Sequence, residues 1–307
     1  MTLASRSAMR RRVLPSTDMP GLADTRHLPD PEFEQAWDAI VFADDVKARL
    51  VRQAVSVLTL RPVVPFELLP LHGVLLLVGQ PGVGKTTVAR GLADRVARVV
   101  SGIGEFAYIE LDPHALTSSS LGRSQRAVEH LFSEVLEEQA AIGPLIVLID
   151  EIETIATDRS QLSLETNPVD VIRAVDAALV GLDRLARKFT NVLILATSNL
   201  HDAIDPALRT RADFICEVPV PDSEARRLII QQTVSAVGQA FKGARRLLEP
   251  AALQQAVQAS EGLDGRRLRK ALAAACSVRP ESQANPDKVT IEDFVLALQE
   301  MRVGDQP

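Results

Sequence analysis

The sequence predicts an α/β domain built on a parallel five-stranded sheet with helices on both faces, followed by a smaller all-helical domain. Three observations carry this reading. Short, nearly continuous apolar runs alternate with helical segments between residues 74 and 220, as buried parallel strands and their crossover helices do. A glycine-rich loop, GQPGVGKTT at 79–87, sits directly between one such run and a helix. After Val218-Pro219-Val220-Pro221 the strand pattern stops and only helical spacing remains.

Residues 1–33 carry an Arg-rich, acid-free start up to Ser16 and then Pro15, Pro20, Pro29 and Pro31 with little periodicity, so a flexible N-terminal arm is expected. A transit peptide has a similar composition; the absence of an apolar core in this stretch argues against a secretory signal. Order is expected from Phe33 to Phe42. From Asp44 to Leu60, apolar Val46, Leu50, Ala54, Val55 and Leu58 fall at helical spacing, and Arg61-Pro62 and Pro65 end the helix. The first strand is expected at 74–78. Further strands follow at 106–111, 145–149, 192–197 and 214–220, with helices at about 86–99, 123–140 and 169–187 between them. This makes 34–221 one α/β domain. Residues 222–307 read as helices at about 222–239, 248–260, 264–279 and 290–302, with Asp222, Asp264 and Thr290 as N-caps.

The loop carries the first chemistry. Gly79, Gly82 and Gly84 let the backbone curl and aim N–H groups at phosphate oxygens, with Val83 and Thr87 inside the same cradle. Lys85 can reach the β- and γ-phosphates, and the Thr86 hydroxyl can ligate Mg²⁺. The helix that follows presents its positive end to the same anion. The strand at 145–149 ends in Asp150-Glu151: the first acid is suited to holding Mg²⁺ through water and the second to polarising an attacking water. Glu153 is expected to be solvated or ion-paired. Asn199 follows the strand at 192–197, where an amide can donate to a γ-phosphate and accept from water. Arg209 and Arg211, just before the last strand, are candidates for an arginine that acts on a neighbouring subunit's nucleotide, Arg211 the better placed. Arg266, near the start of a helix after two glycines, can fold over the nucleotide from the helical domain; Arg267, Arg269 and Lys270 read as a basic helix face. ATP and Mg²⁺ are the cofactors these residues imply.

Other function classes find little support. A net charge of -6 argues against a surface for nucleic-acid phosphates, and no apolar run is long enough to span a bilayer, so neither nucleic acid nor membrane is expected as a partner. Cys216 and Cys276 have no metal-ligand spacing and read as buried thiols of a cytoplasmic protein. His27, His72, His114, His130 and His201 are scattered, and each is expected to be structural or superficial.

Taken together, the phosphate loop, Asp150-Glu151, Asn199, Arg211 and Arg266 resemble the AAA+ ATPases over residues 34–302. Trp37-Asp38-Ala39-Ile40-Val41-Phe42, IDEIET (149–154), NPVDVIRAVDAAL (167–179), ATSN (196–199), TRADF (210–214) and GLDGRRLRK (262–270) look like the pachytene checkpoint protein two and thyroid-receptor-interacting protein thirteen family. The resemblance implies a homo-hexamer that uses ATP to unfold HORMA-domain proteins partly through a central pore. It places Val41 and Phe42 beside the adenine and a pore loop at Ser118–Gly122, with Ser120-Leu121 where the animal protein has a Trp-Phe pair. Residues 1–33 are too few for the substrate-recognition domain of the animal protein. The compact length and the Arg- and Ala-rich, Lys-poor composition resemble the bacterial members, which disassemble a HORMA complex with a cGAS/DncV-like nucleotidyltransferase in anti-phage (CBASS) signalling. The alternatives are a clamp- or helicase-loader ATPase acting on nucleic acid, a nucleotide-dependent scaffold, and an unfoldase feeding a protease.

Overall fold

A computed structural model describes residues 12–42, 44–116, 123–156, 168–199 and 204–303. Among the described residues six strands form one sheet in the order β1-β3-β4-β5-β2-β6. The five expected strands are β2 (Val74–Val78), β3 (Phe106–Leu111), β4 (Leu145–Ile149), β5 (Val192–Ser198) and β6 (Phe214–Glu217), all parallel to one another. β6 ends at Glu217 rather than 220, because Pro219 and Pro221 have no N–H to continue the ladder. The sixth strand, β1 (Leu22–Leu28), was not expected: it lies in the segment read as a flexible arm and pairs antiparallel with β3. Only its two end residues are buried, so it carries no apolar run or alternation to mark it. Arg12 helps hold this segment, donating from Nε to Gln139 Oε1 (2.8 Å) and from Nη1 to the Pro144 carbonyl (2.8 Å).

Alternate residues of each central strand face opposite cores. Leu76, Ile109, Val147 and Ile194 pack with α5 (Arg123–His130), a π-helical turn at Leu131–Leu136, α6 (Glu137–Ile142) and α7 (Pro168–Lys188). Leu75, Leu77, Tyr108, Leu148 and Leu195 pack with α1 (Pro31–Ala39), α2 (Asp44–Leu60) and α3 (Lys85–Val99). α1 starts on an N-cap from Asp30, whose carboxylate accepts from Glu32 and Phe33 N–H.

Beyond β6 come α9 (Ser223–Ala240), α10 (Pro250–Ala259), α11 (Gly265–Cys276) and α13 (Ile291–Val303), around a separate cluster that includes Ile230, Val234, Leu247, Leu268 and Phe294. Three short α-helices complete the described ones, α4 (Pro113–Leu116), α8 (Pro206–Arg209) and α12 (Pro280–Ala284). The helix expected at 264–279 stops at Cys276: Pro280 disfavours helix at Arg279, whose φ of -126° and ψ of 149° are extended. Asp222 and Asp264 cap α9 and α11 as expected. Among the described residues no helix is long and apolar enough to cross a membrane.

Candidate active site

The carboxyl ends of β2, β4 and β5 open onto a cavity of about 800 Å³, where ligands of open parallel sheets characteristically bind. Its lining includes Gly82, Val83, Gly84, Lys85, Thr86, Thr87, Asp150, Glu151 and Asn199 from the α/β part and Arg266 from α11. Val41 and Phe42 line it as well, at the apolar end formed with Ala39, Ile40 and Val46. The sequence-predicted residues other than the arginines before β6 and the pore loop therefore converge on one cleft.

The loop is built as the glycines require. Gly82 has φ +84° and Gly84 φ +99°, both left-handed and strained for any residue with a Cβ. Gly84 is the N-cap of α3, so the free N–H groups of the first turn point into the cavity. Lys85, almost fully buried, donates from Nζ to the carbonyls of Gly79 (2.8 Å) and Gln80 (2.9 Å) and to Asn199 Oδ1 (2.8 Å). All three ammonium protons thus point at acceptors that anionic oxygens can replace. Burial pushes its pKa down, partly opposed by Glu153, Asp150 and Glu151.

Asp150 and Glu151 are held differently. The Asp150 carboxylate accepts from the Thr86 hydroxyl at 2.9 and 3.1 Å and from the Thr197 hydroxyl at 2.5 Å. The Thr197 hydroxyl accepts in turn from Glu151 N–H (3.0 Å). Thr197 was not singled out from the sequence. Its role follows from register: Ile149 pairs with Ala196, so the next residues, Asp150 and Thr197, are neighbours across the strands. Glu151 has φ 52° and ψ 54°, the one non-glycine with positive φ among the described residues. Such a conformation costs about 1–3 kcal/mol and is typical of functional positions.

Both Glu151 oxygens are engaged. Oε1 accepts from Asn199 Nδ2 (3.0 Å), and Oε2 lies 2.9 Å from His114 Nε2 on α4. His114, expected to be merely structural or superficial, is thus a member of the site. Contact with Glu151 raises the His114 pKa, and His114 followed by Asn199 lowers that of Glu151. Glu153 neither stands free nor faces the cavity as a second base; its Oε1 accepts from Asn199 N–H (3.0 Å) and so fixes the amide's position.

Arg266 lines the cavity and donates its backbone N–H to the Gly82 carbonyl at 3.3 Å. Arg269, read as part of a basic face, lines the cavity too. Arg211 lies elsewhere: its Nε and Nη2 each meet an Asp183 oxygen at 2.7 Å and Nη1 donates to the Ala207 carbonyl. Arg209 ends α8, half-buried and also outside the cavity lining. The pore-loop residues Ser120 and Leu121, with the rest of Ser118–Gly122, lie outside the described residues, as does His201.

The donor set fits a nucleoside triphosphate with a divalent cation. Backbone N–H groups and Lys85 supply positive potential at one end, where the Thr86 hydroxyl and Asp150 carboxylate also offer hard oxygen ligands, and apolar side chains supply a slot for a flat base at the other.

Relatives agree with this geometry. Residues 75–220 match the model of the ATPase family associated with various cellular activities (AAA). The chain is 44% identical over 282 residues to CD-NTase-associated protein 6 of Pseudomonas aeruginosa, covering 92% of each. It is 30% identical over 299 residues to the pachytene checkpoint protein 2 homolog of Sus scrofa, covering 88% of this chain and 67% of that one. It spans 49% of the putative pachytene checkpoint protein 2 of Caenorhabditis elegans, at 32% identity. The solved structure of C. elegans PCH-2 superposes with a TM-score of 0.72 at 25% identity, over 92% of this chain and 77% of that one. A structure of an E. coli MS115-1 HORMA:CdnC:Trip13 complex gives 0.75 at 21% identity over 94% and 98%, a likeness of fold. With the phosphate loop, the paired acids and these identities in hand, the chain belongs to the AAA ATPases and, within them, to the pachytene checkpoint protein 2 family that includes CD-NTase-associated protein 6.

Proposed function

We propose that this protein hydrolyses ATP to remodel a HORMA-domain protein, taking apart its complex with a cGAS/DncV-like nucleotidyltransferase and so switching off an anti-phage signal. The observation that carries the reading is the 44% identity to CD-NTase-associated protein 6 over 92% of both chains. The cleft supplies the chemistry such a task needs.

In this reading the loop N–H groups and Lys85 bind the phosphates, and Thr86 and Asp150 hold Mg²⁺, which when bound neutralises charge on the phosphate oxygens. Thr197 fixes Asp150 and the Glu151 backbone. Glu151 accepts a proton from the attacking water once Asn199 or His114 yields one of its two oxygens, and Asn199 orients that water. Arg211 exchanges Asp183 for the γ-phosphate of a neighbouring subunit in a hexamer, adding positive charge from across the interface to that of Lys85. Arg266 draws the helical part over the nucleotide, and Val41 and Phe42 flank the base. Ser120-Leu121 grips the substrate, a weaker hold than an aromatic pair, suited to pulling a short terminal segment.

The test combines the purified protein, ATP and Mg²⁺ with a HORMA protein bound to its nucleotidyltransferase. ATP-dependent release of the nucleotidyltransferase is expected from the wild type. Glu151→Gln is expected to bind ATP, lose turnover and trap the complex, and Lys85→Ala to lose both binding and turnover. Turnover of Glu151→Gln at the wild-type rate removes Glu151 as the base. Release that proceeds without ATP removes the remodelling reading.

A further inference from the structure

The segment that joins α1 to α2 belongs to two cores at once. Ile40 and Phe42 pack on the cluster beneath the sheet, whereas Val41 between them packs on the helical cluster of Ile230 and Leu268. The alternation is that of an extended chain, and Ile40 has φ -76° and ψ 124°. All three residues also line the cavity. A ligand in the apolar end therefore touches a strap shared by the α/β part and the helical part.

α11 is tied to the head of that strap, at the last residue of α1. Arg269 Nη2 donates to the Ala39 carbonyl at 2.9 Å and reaches Gln232 Oε1 on α9 at 3.3 Å. One turn earlier on the same helix, the Arg266 N–H is shared between its own N-cap, Asp264 Oδ1 (2.8 Å), and the Gly82 carbonyl (3.3 Å). Gly82 is so close to α11 that an added Cβ would lie 2.5 Å from the Asp264 carboxyl carbon. α11 is thus tied to the α/β part at two points on the cavity wall, Gly82 at the phosphate end and Ala39 at the base end.

We propose that Arg269 is a positioning residue for nucleotide binding: its tie to the Ala39 carbonyl holds α11 against the strap, so that the cleft is closed before the nucleotide arrives. The inference rests on the reading of the cleft as an ATP site. Among the described residues the Arg269 guanidinium bonds to Ala39 and Gln232 and to neither the phosphate loop nor the acids, so it acts on how often the cleft is closed and not on the chemistry. Its guanidinium is partly desolvated, which depresses its pKa, and no carboxylate contributes to that shift. A carbonyl and an amide oxygen are its hydrogen-bond partners, so the charge is spent on the tie rather than on an ion pair. When the closed state is less populated, apparent affinity falls in proportion to that population.

The experiment measures a fluorescent ADP analogue binding to the full chain and steady-state ATP hydrolysis for wild type, Arg269→Ala, Arg269→Lys and Lys85→Ala. Arg269→Ala is expected to raise both the Kd for the analogue and the KM for ATP roughly 3- to 10-fold, with kcat within about two-fold of wild type. Arg269→Lys, able to make the single bond to the carbonyl, is expected to recover at least half of the lost affinity. A Kd and KM unchanged in Arg269→Ala, a fall in kcat at constant KM, or no recovery with lysine overturns the proposal. Lys85→Ala separates the two layers. If it binds the analogue like wild type, the nucleotide reading itself fails; if it loses binding while Arg269→Ala is normal, only the tie fails. Should Arg269→Ala not fold, Arg269→Gln gives the same comparison, since its shorter neutral side chain cannot span to Ala39.

Discussion

Gly91→Ala is expected to destabilise the protein, although alanine is the better helix former. Gly91 lies within α3, where replacing glycine by alanine stabilises an exposed helix by about 1 kcal/mol. The position is not exposed. An added Cβ would lie 2.7 Å from Trp37 Cβ, 2.9 Å from Trp37 Cε3 and 3.0 Å from the Trp37 backbone Cα. A side-chain tip could turn aside, but a Cα and Cβ can move only if α1 moves with them. Overpacking of this kind costs about 1–3 kcal/mol, and the need to shift backbone puts this site at about 2–3, so after the helix gain of about 1 the net loss is about 1–2 kcal/mol. At the usual scaling for a chain of this length that lowers the melting temperature by about 1.5–3 °C. The assay is direct because Trp37 is the only tryptophan in the chain and is 7% exposed. Its emission should shift to the red in the folded variant, and thermal melts should report the loss. Since α1 runs into Ile40–Phe42, nucleotide affinity should fall as well. A variant that melts higher than wild type with unchanged emission would refute this account of the α1–α3 contact.

Glu110→Ala should cost about 2–4 kcal/mol in chemical denaturation, because it strands the buried Tyr108 hydroxyl (2.6 Å from Glu110 Oε2) and the Arg90 guanidinium; Arg90 is 41% exposed and recovers part of the loss in water. His114 should titrate by NMR above its ordinary value in the wild type and fall back towards about 6.5 in Glu151→Gln. The sign follows from the pair: the raised histidine contributes stability below its unfolded pKa that is lost as pH rises through the folded value, whereas the depressed Glu151 contributes above about 4.5 and loses it as pH falls. Thr197→Val, which keeps shape but removes the hydroxyl from Asp150 and Glu151, should lower kcat at least 10-fold with little change in the Kd for nucleotide. Asp183→Asn should leave folding intact and change the ATP dependence of turnover, since it removes the charge that pairs with Arg211 and leaves the bond to the Ala207 carbonyl; identical kinetics would separate Arg211 from the reaction.

The phosphate loop and the paired acids were legible because their chemistry is local: glycines, Lys85, Thr86 and Asp150 stand within one strand–loop–helix turn or at one strand end. Central strands were legible because both faces are buried and the apolar run is unbroken. β1 was not, since one antiparallel partner and a half-exposed surface leave only Leu22 and Leu28 as apolar anchors. Thr197 and His114 were missed for a related reason. A threonine after an apolar strand and a histidine after Asp112-Pro113 carry no pattern; only the order β3-β4-β5 brings both beside Glu151. Arg269 was legible as a charge but not as a contact, because its carbonyl acceptor is 230 residues away in the chain.

β1 also bears on how the protein stays out of aggregates. Without it, Phe106-Ala107-Tyr108-Ile109-Glu110-Leu111 would present a row of unpaired N–H and C=O groups on an apolar strand, a template for another chain to add to. The half-buried polar stretch of β1, Asp24-Thr25-Arg26-His27, forms the sheet edge in its place and carries the Arg26–Asp24 and Arg26–Glu32 ion pairs, charges that make a poor surface for further strands. Because β1 is synthesised before β3, the guard is already in hand when the vulnerable strand emerges.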